Sequence, residues 1–267
     1  MKGLTNVTGD FKDKYAAVTG SSGIGLDAAL HLARRGARVF LGGIDPDLNN
    51  KAGESAAAEG LDVSLHQLDI TDEKLVRRWS EQIAAETDRL HALVNAAGQQ
   101  TYGTVEDTSP AEWDHSIAVN LRSCYLTSHL LYPLLRAAQG AAVVHVSSVQ
   151  GHNSQNNVLA YAASKGAVHA MTRAMALDCA KDKIRVNSIS PGSIRTSLLE
   201  YSASQLAGEE KTVEDMIGVF GKSHPVGRVG TTAETSSLIA YLCSDAASFI
   251  TGTDLRIDGG LTAQLCI

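Results

Sequence analysis

Short, nearly unbroken apolar runs alternate along this chain with longer stretches in which apolar residues recur every three to four positions. Seven of the short runs, Lys14–Thr19, Arg38–Leu41, Val63–Leu68, Ala92–Asn95, Ala141–Val146, Arg185–Ile189 and Leu255–Ile257, read as strands buried on both faces. Helical periodicity fills the gaps: Gly23 to about Arg35, Pro46–Glu59, Asp72–Glu86, Ser109–Arg136, Leu159–Lys181 and Ala233–Ser244. Gly36 follows the first helix at the position where a left-handed residue usually closes it. Ser109, Pro110 and Glu112 form a capping signature at the start of the long fourth helix. Regular strand–helix alternation predicts an α/β fold: one doubly wound, Rossmann-type parallel sheet of about seven strands flanked by helices. Residues 1–267 then form a single domain. Only 193–230, rich in glycine, breaks the rhythm; it reads as mixed helix and loop and is expected to be a mobile lid over the carboxyl edge of the sheet. Residues 1–13 are expected to be a loosely ordered lead-in.

In such sheets ligands bind outside the carboxyl ends of the strands. There the first strand is followed by Gly20-Ser21-Ser22-Gly23-Ile24-Gly25, and Gly23 to Ala28 satisfies G-x-G-x-x-A between a strand and a helix. Backbone N–H groups and the helix dipole can then face a pyrophosphate with no β-carbon in the way. The end of the second strand, where the adenosine ribose is read, carries Gly42-Gly43-Ile44-Asp45. No cation stands there for a 2′-phosphate, and Arg38 is at the other end of its strand. The reading therefore leans to NAD, with NADP open. Asp45 is either the ribose acceptor or simply the cap of the helix that begins at Pro46.

The next chemistry lies between Ser148 and Lys165. Ser148 ends a strand, and Tyr161 and Lys165, four residues apart at a helix start, project from one face. A free phenol, with a pKa near 10, is a poor base at neutral pH. An ammonium one turn away and a positive nicotinamide ring would lower that value. Tyr161 could then exchange a proton with an alcohol or ketone as hydride moves, while Ser148 holds the reacting oxygen. Asn120, inside a helix where an amide has no obvious use, is expected to link Lys165 to solvent through a water.

The formal charge of −6 and pI near 5.8 give no footprint for nucleic acid or an anionic membrane surface. No apolar run approaches the roughly 20 residues of a membrane span, and the N-terminus lacks the apolar core of a signal peptide. Cys124, Cys179, Cys243 and Cys266 are scattered and read as reduced thiols of a cytoplasmic protein. The nine histidines show no metal-ligand spacing, so no metal is expected.

Taken together, Thr19-Gly20 with Gly23-Ile24-Gly25, Asp69-Ile70, Asn95-Ala96-Ala97-Gly98, Asn120, Val146-Ser147-Ser148, Tyr161 with Lys165, Pro191-Gly192 with Thr196, and Asp258-Gly259-Gly260 resemble the short-chain dehydrogenase/reductase family over nearly the whole chain. The resemblance implies a catalytic tetrad of Asn120, Ser148, Tyr161 and Lys165. It also implies a nicotinamide dinucleotide held by Gly20, Ser22, Gly23, Ile24, Gly25, Ile44, Asp45, Asp69, Ile70, Asn95, Ala96, Ala97 and Gly98. Tyr161, Lys165, Pro191, Gly192, Ile194 and Thr196 complete that set, and a homotetramer is implied as well. The chain departs from the family at two points. Its glycine turn has two residues, not three, between the first two glycines, and position 43 is glycine where NAD-using relatives often carry aspartate.

Ser148, Tyr161, Gln150, His152 and Gln155 are the substrate-binding candidates. The polar stretch Gln150–Asn157 disfavours a steroid or long acyl chain, because unpaired amides are costly to desolvate. A small hydroxylated substrate (a sugar, polyol or hydroxy acid) is expected. Two rivals remain: an NADPH-dependent 3-oxoacyl-thioester reductase, and a non-catalytic dinucleotide-binding regulatory or scaffold protein.

Overall fold

The computed structural model describes residues 10–208 and 211–265. Seven strands, β1 (Tyr15–Thr19), β2 (Arg38–Gly43), β3 (Val63–Gln67), β4 (Ala92–Asn95), β5 (Ala142–Val146), β6 (Arg185–Pro191) and β7 (Asp254–Ile257), form one parallel sheet. Their order is β3-β2-β1-β4-β5-β6-β7. Strand side chains alternate between two cores, as the twofold period of a strand demands. Ala16, Val18, Ala92, Val94, Val144 and Val146 face one core with helices α1 (Gly23–Arg34) and α9 (Thr232–Cys243). Ala17, Leu93 and Val143 face the other, against α3 (Glu73–Glu86), α5 (Ser123–Ala137) and α6 (Leu159–Cys179). Burial on both faces is why these strands lack a polar alternation in the sequence.

The order reverses between β1 and β4, which opens a crevice at their carboxyl ends. Thr19 Oγ1 spans it, accepting from the N–H groups of Ala96 and Ala97 at 3.1 and 3.2 Å. Helix α2 (Pro46–Ala58) is capped by Asp45, α3 by Asp72, and α4 (Pro110–Ile117) by the expected Ser109–Glu112 box.

Two expectations change. The long fourth helix is not α-helical throughout: a π-helical segment, Ala118–Arg122, joins α4 to α5. Residues 193–230, expected to mix helix and loop, carry two helices, α7 (Ser197–Leu206) and α8 (Val213–Ser223), packed through Ala203, Met216 and Ile217. Residues 10–13 are no loose lead-in, because Phe11 is 1% exposed in the first core with the Arg35 guanidinium 4.9 Å above its ring. The remainder of that lead-in, residues 1–9, and Cys266 lie outside the described residues.

Candidate active site

A single cavity of about 980 Å³ runs along the carboxyl edge of the sheet, from the first glycine turn to α7 and α8. Its walls hold Ser148, Tyr161 and Lys165 at one end and Gly20, Ser22, Gly23 and Ile24 at the other. Ile44, Asp45, Asp69, Ile70, Ala96, Ala97 and Gly98 lie along it, as do Pro191, Gly192, Ile194 and Thr196. Sequence positions far apart thus meet on one surface.

The chemical end is built from β5 and α6. Val146 stops the strand, and its carbonyl accepts from Lys165 Nζ at 2.9 Å. Ser147 Oγ donates to the Lys165 carbonyl at 2.9 Å, so strand end and helix are stitched in both directions. Ser148 opens a single 3-10 turn, Val149–Gly151, and its Oγ accepts from Gln150 N at 3.1 Å. Tyr161 sits on the first turn of α6 with Lys165 Nζ 5.6 Å from its ring centroid. All three side chains are buried: Ser148 is 8% exposed, Tyr161 7% and Lys165 4%.

Burial sets the resting protonation. It pushes the Tyr161 phenol up to about 12, although a hydrogen bond with Ser148 pulls the other way. It pushes the Lys165 ammonium down, with Cys124 opposing. Desolvation outweighs the Ser148 hydrogen bond at Tyr161, so lowering the phenol is left to the charge of a nicotinamide together with Lys165.

Asn120 lies in the π segment, an irregularity frequent at functional sites. It is fully buried, and its amide clamps the loop after β4. Its Oδ1 accepts from Gln99 N at 2.9 Å, and its Nδ2 donates to the Gln99 carbonyl at 3.0 Å. Its side chain thus holds that loop in place. Asn95 is likewise off the wall: Thr127 Oγ1 donates to its Oδ1 at 2.7 Å, and its Nδ2 lies 3.1 Å from His145 Nδ1. Gly25 is buried beneath the turn, where a Cβ would fall 2.2 Å from the Gly20 carbonyl oxygen. His152 is a plain correction, since its ring turns from the cavity to Asp254 at 2.8 Å. Gln150 and Gln155 remain on the wall, joined by Asn153 and Ser154.

His115, whose Nε2 lies 3.0 Å from Gln99 Oε1, and His224, whose Nε2 accepts from Ser193 N at 3.2 Å, also line the cavity. No spacing in the sequence pointed to either. Apolar Leu198, Leu199, Leu206 and Phe220 close the cavity from α7 and α8.

The glycine turn tests whether a dinucleotide fits. Six of the nine α-helices among the described residues carry a side-chain cap, but Ser22 at the start of α1 makes none, and no acid lies in that first turn. The N–H groups and positive dipole end of α1 are left for an anion. Gly20, at φ +97°, approaches so closely that a Cβ would sit 3.3 Å from the Ala97 backbone. A pyrophosphate fits here. At the ribose end the two departures from the family turn out to be one arrangement. A Cβ on Gly43 would fall 2.0 Å from Ser21 Oγ and 2.3 Å from Asn49 Oδ1, so the tightened turn has filled the space of a side chain at 43. Asp45 Oδ1 accepts from the N–H groups of Asp47 and Leu48 at 2.9 and 3.1 Å, which makes it the helix cap.

A parallel sheet with a dinucleotide cradle at its switch point and a buried serine, tyrosine and lysine beside it defines an NAD(P)-dependent oxidoreductase. The comparisons agree. A family profile described as enoyl-(acyl carrier protein) reductase matches residues 18–262. Cyclopentanol dehydrogenase of Comamonas testosteroni is 37% identical over 257 residues, 96% of this chain and 100% of the relative. Trans-4-hydroxycyclohexanecarboxylate dehydrogenase of Sinomonas cyclohexanicum is 35% identical, covering 97% of each chain. Among solved structures, Thermoplasma acidophilum aldohexose dehydrogenase superposes with a TM-score of 0.88 at 33% identity, over 99% of this chain and 98% of that one. The chain belongs to the short-chain dehydrogenase/reductase family. It is a secondary-alcohol oxidoreductase, and no helix among the described residues is long and apolar enough to cross a membrane.

Proposed function

We propose that this enzyme interconverts small secondary alcohols and ketones with NAD, using Tyr161 as the general acid/base. The observation that carries this is the burial of Ser148, Tyr161 and Lys165 on the wall of the same cavity as the uncapped end of α1. A bound oxidised nicotinamide would supply the hydride acceptor and a positive charge beside the phenol. Ser148 then holds the alcohol oxygen, and Tyr161 Oη removes its proton as the carbonyl forms. Lys165, fixed by the Val146 carbonyl, favours the phenolate and presents N–H donors toward the ribose side. Asn120 keeps the loop after β4 in place through Gln99.

The choice of NAD is supported by charge. Among the described residues lining the cavity there is no arginine, and the one lysine is Lys165. A 2′-phosphate or a phosphopantetheine arm would be left without a cation. Asp69 and Ile70 lie on the wall toward the adenosine end and are assigned to the adenine. The substrate end has a polar wall, Gln150 with Asn153 to Gln155, facing the apolar Leu198, Leu199, Leu206 and Phe220. That division favours a compact hydroxylated ring, with one apolar face, over a long acyl chain. Exposed Tyr125 on α5 and Leu177 on α6, 53% and 81% accessible, support a homotetramer built through those helices.

Binding of NAD and NADP by quenching of protein fluorescence, followed by turnover of cyclopentanol, cyclohexanol and an aldohexose, tests the reading. NAD is expected to bind tighter by about tenfold or more. Tighter binding of NADP, or turnover confined to acyl thioesters, would sink it.

A further inference from the structure

Behind the cavity wall, His152, His169 and Asp254 are the one trio of His, Cys, Asp or Glu among the described residues whose ligand atoms converge within 4.8 Å. His152 Nε2 lies 2.8 Å from Asp254 Oδ2, and His169 Nε2 lies 3.4 Å from Oδ1. Ser188 Oγ donates to Asp254 Oδ1 at 2.6 Å, and Ser190 Oγ lies 2.9 Å from His169 Nε2. The imidazoles are stacked, with centroids 4.2 Å apart and planes at 25°. Such a trio invites a cation, but the stack argues against one. Imidazole lone pairs lie in the ring plane, and two nearly parallel stacked planes cannot both contain one ion at bonding distance. The carboxylate is already shared by hydrogen bonds.

What the trio joins is more informative. Ser148 starts the 3-10 turn Val149–Gly151, and His152 is the residue that ends it. His169 lies one helical turn past Lys165 on α6. Asp254 stands on β7, paired in register with Ser188 of β6. The turn and the helix also meet without spare room. A Cβ on Gly151 would fall 2.5 Å from His169 Cε1 and 2.8 Å from the Lys165 carbonyl carbon. The turn that aims Ser148 is thus pinned to the helix that aims Tyr161 and Lys165, through a carboxylate on the sheet.

We propose that the His152–Asp254–His169 cluster is a positioning clamp that fixes Ser148 relative to Tyr161 and Lys165. The clamp rests on the catalytic assignment proposed above. Four ionisable groups face His169: Asp254 from β7, His152 from the turn, and Arg173 and Lys165 from α6. Burial holds the His169 imidazole below its ordinary value, with Asp254 opposing and the three basic neighbours adding to the effect. Burial pushes Asp254 up, but hydrogen bonds from His152, Ser188 and Ser190 outweigh it and keep the carboxylate charged.

The test uses the full-length enzyme and a good alcohol substrate, with kcat, KM and cofactor Kd measured for His152→Ala, His152→Gln and Tyr161→Phe. His152 is partly exposed on its turn, so both variants should fold. His152→Ala is expected to lower kcat roughly tenfold while cofactor Kd stays within about twofold. His152→Gln, whose amide donates to Asp254 without titrating, is expected to restore most of kcat. If Tyr161→Phe is inactive but His152→Ala keeps full kcat, the clamp is wrong and the catalytic reading stands. If Tyr161→Phe keeps full activity, the catalytic reading is wrong and the clamp falls with it.

Discussion

The Ser148–Lys165 wall and the α7–α8 cover face each other across one cavity and are held in opposite ways. Behind the wall stands β5, with all five residues buried, and its end is stitched to α6 by the Ser147 and Lys165 hydrogen bonds. The cover rests on a cluster of three buried side chains, Ala203, Met216 and Ile217. Arg195, just before α7, pairs with Glu214 of α8 at 2.9 Å, but at side-chain exposures of 44% and 71% such a pair is screened by solvent and adds little. Proton transfer requires fixed distances, and Ser148, Tyr161 and Lys165 are buried where they cannot shift freely. Shape selection does not, and it is left to a shallow, easily repacked element.

The contrast can be broken most severely at the wall. Tyr161→Phe keeps the ring in its buried site but removes the acid/base oxygen, so kcat should fall by about 100-fold or more with cofactor Kd nearly unchanged. A steady-state assay beside a binding titration checks this. Next in size is Gly25→Ala, whose methyl would meet the Gly20 carbonyl oxygen 2.2 Å away. Distortion of the turn should weaken the cofactor by roughly tenfold or more, read as Kd by calorimetry.

On the cover, Met216→Ala empties part of a small cluster without touching the wall. The alcohol KM should rise severalfold, to about tenfold at most, with kcat within a factor of about three. A collapse of kcat instead would erase the distinction between the two regions.

The smallest effect probes the wall's interior by pH. His145, at the centre of β5, has its imidazole pushed down to about 4 by burial, with Lys165 adding to the shift. Its folded value lies below its unfolded one, so its contribution is complete above about pH 6.5 and is lost as pH falls toward 4. His145→Val should flatten the loss of thermal stability over that interval by on the order of 1 kcal/mol, measured by melting at several pH values.

Much of the wall was legible because its signals are local. The apolar run before Ser148, the spacing of Tyr161 and Lys165, and the glycines after β1 each lie within one turn or one strand. What was not legible depends on contacts distant in sequence. His152 looked like one more polar residue of a substrate loop, and only folding brings it to Asp254, 102 positions away. The π segment at Asn120 leaves no compositional mark. The cover was readable in part: it was expected to mix helix and loop, and the Thr212–Asp215 capping box marks where one of its helices starts. The cost of burying Tyr161 was not legible, because a sequence shows which charges are near it but not how much water is missing.

The contact between Ser21 and Gly43 has a consequence for anyone wishing to redirect the cofactor. Two positions 22 residues apart behave as a single locus, since the hydroxyl-bearing side chain of one occupies the volume that the other would need. A redesign that installs a ribose-reading residue at 43 has to clear Ser21, and move the Asn49 amide, before anything is added.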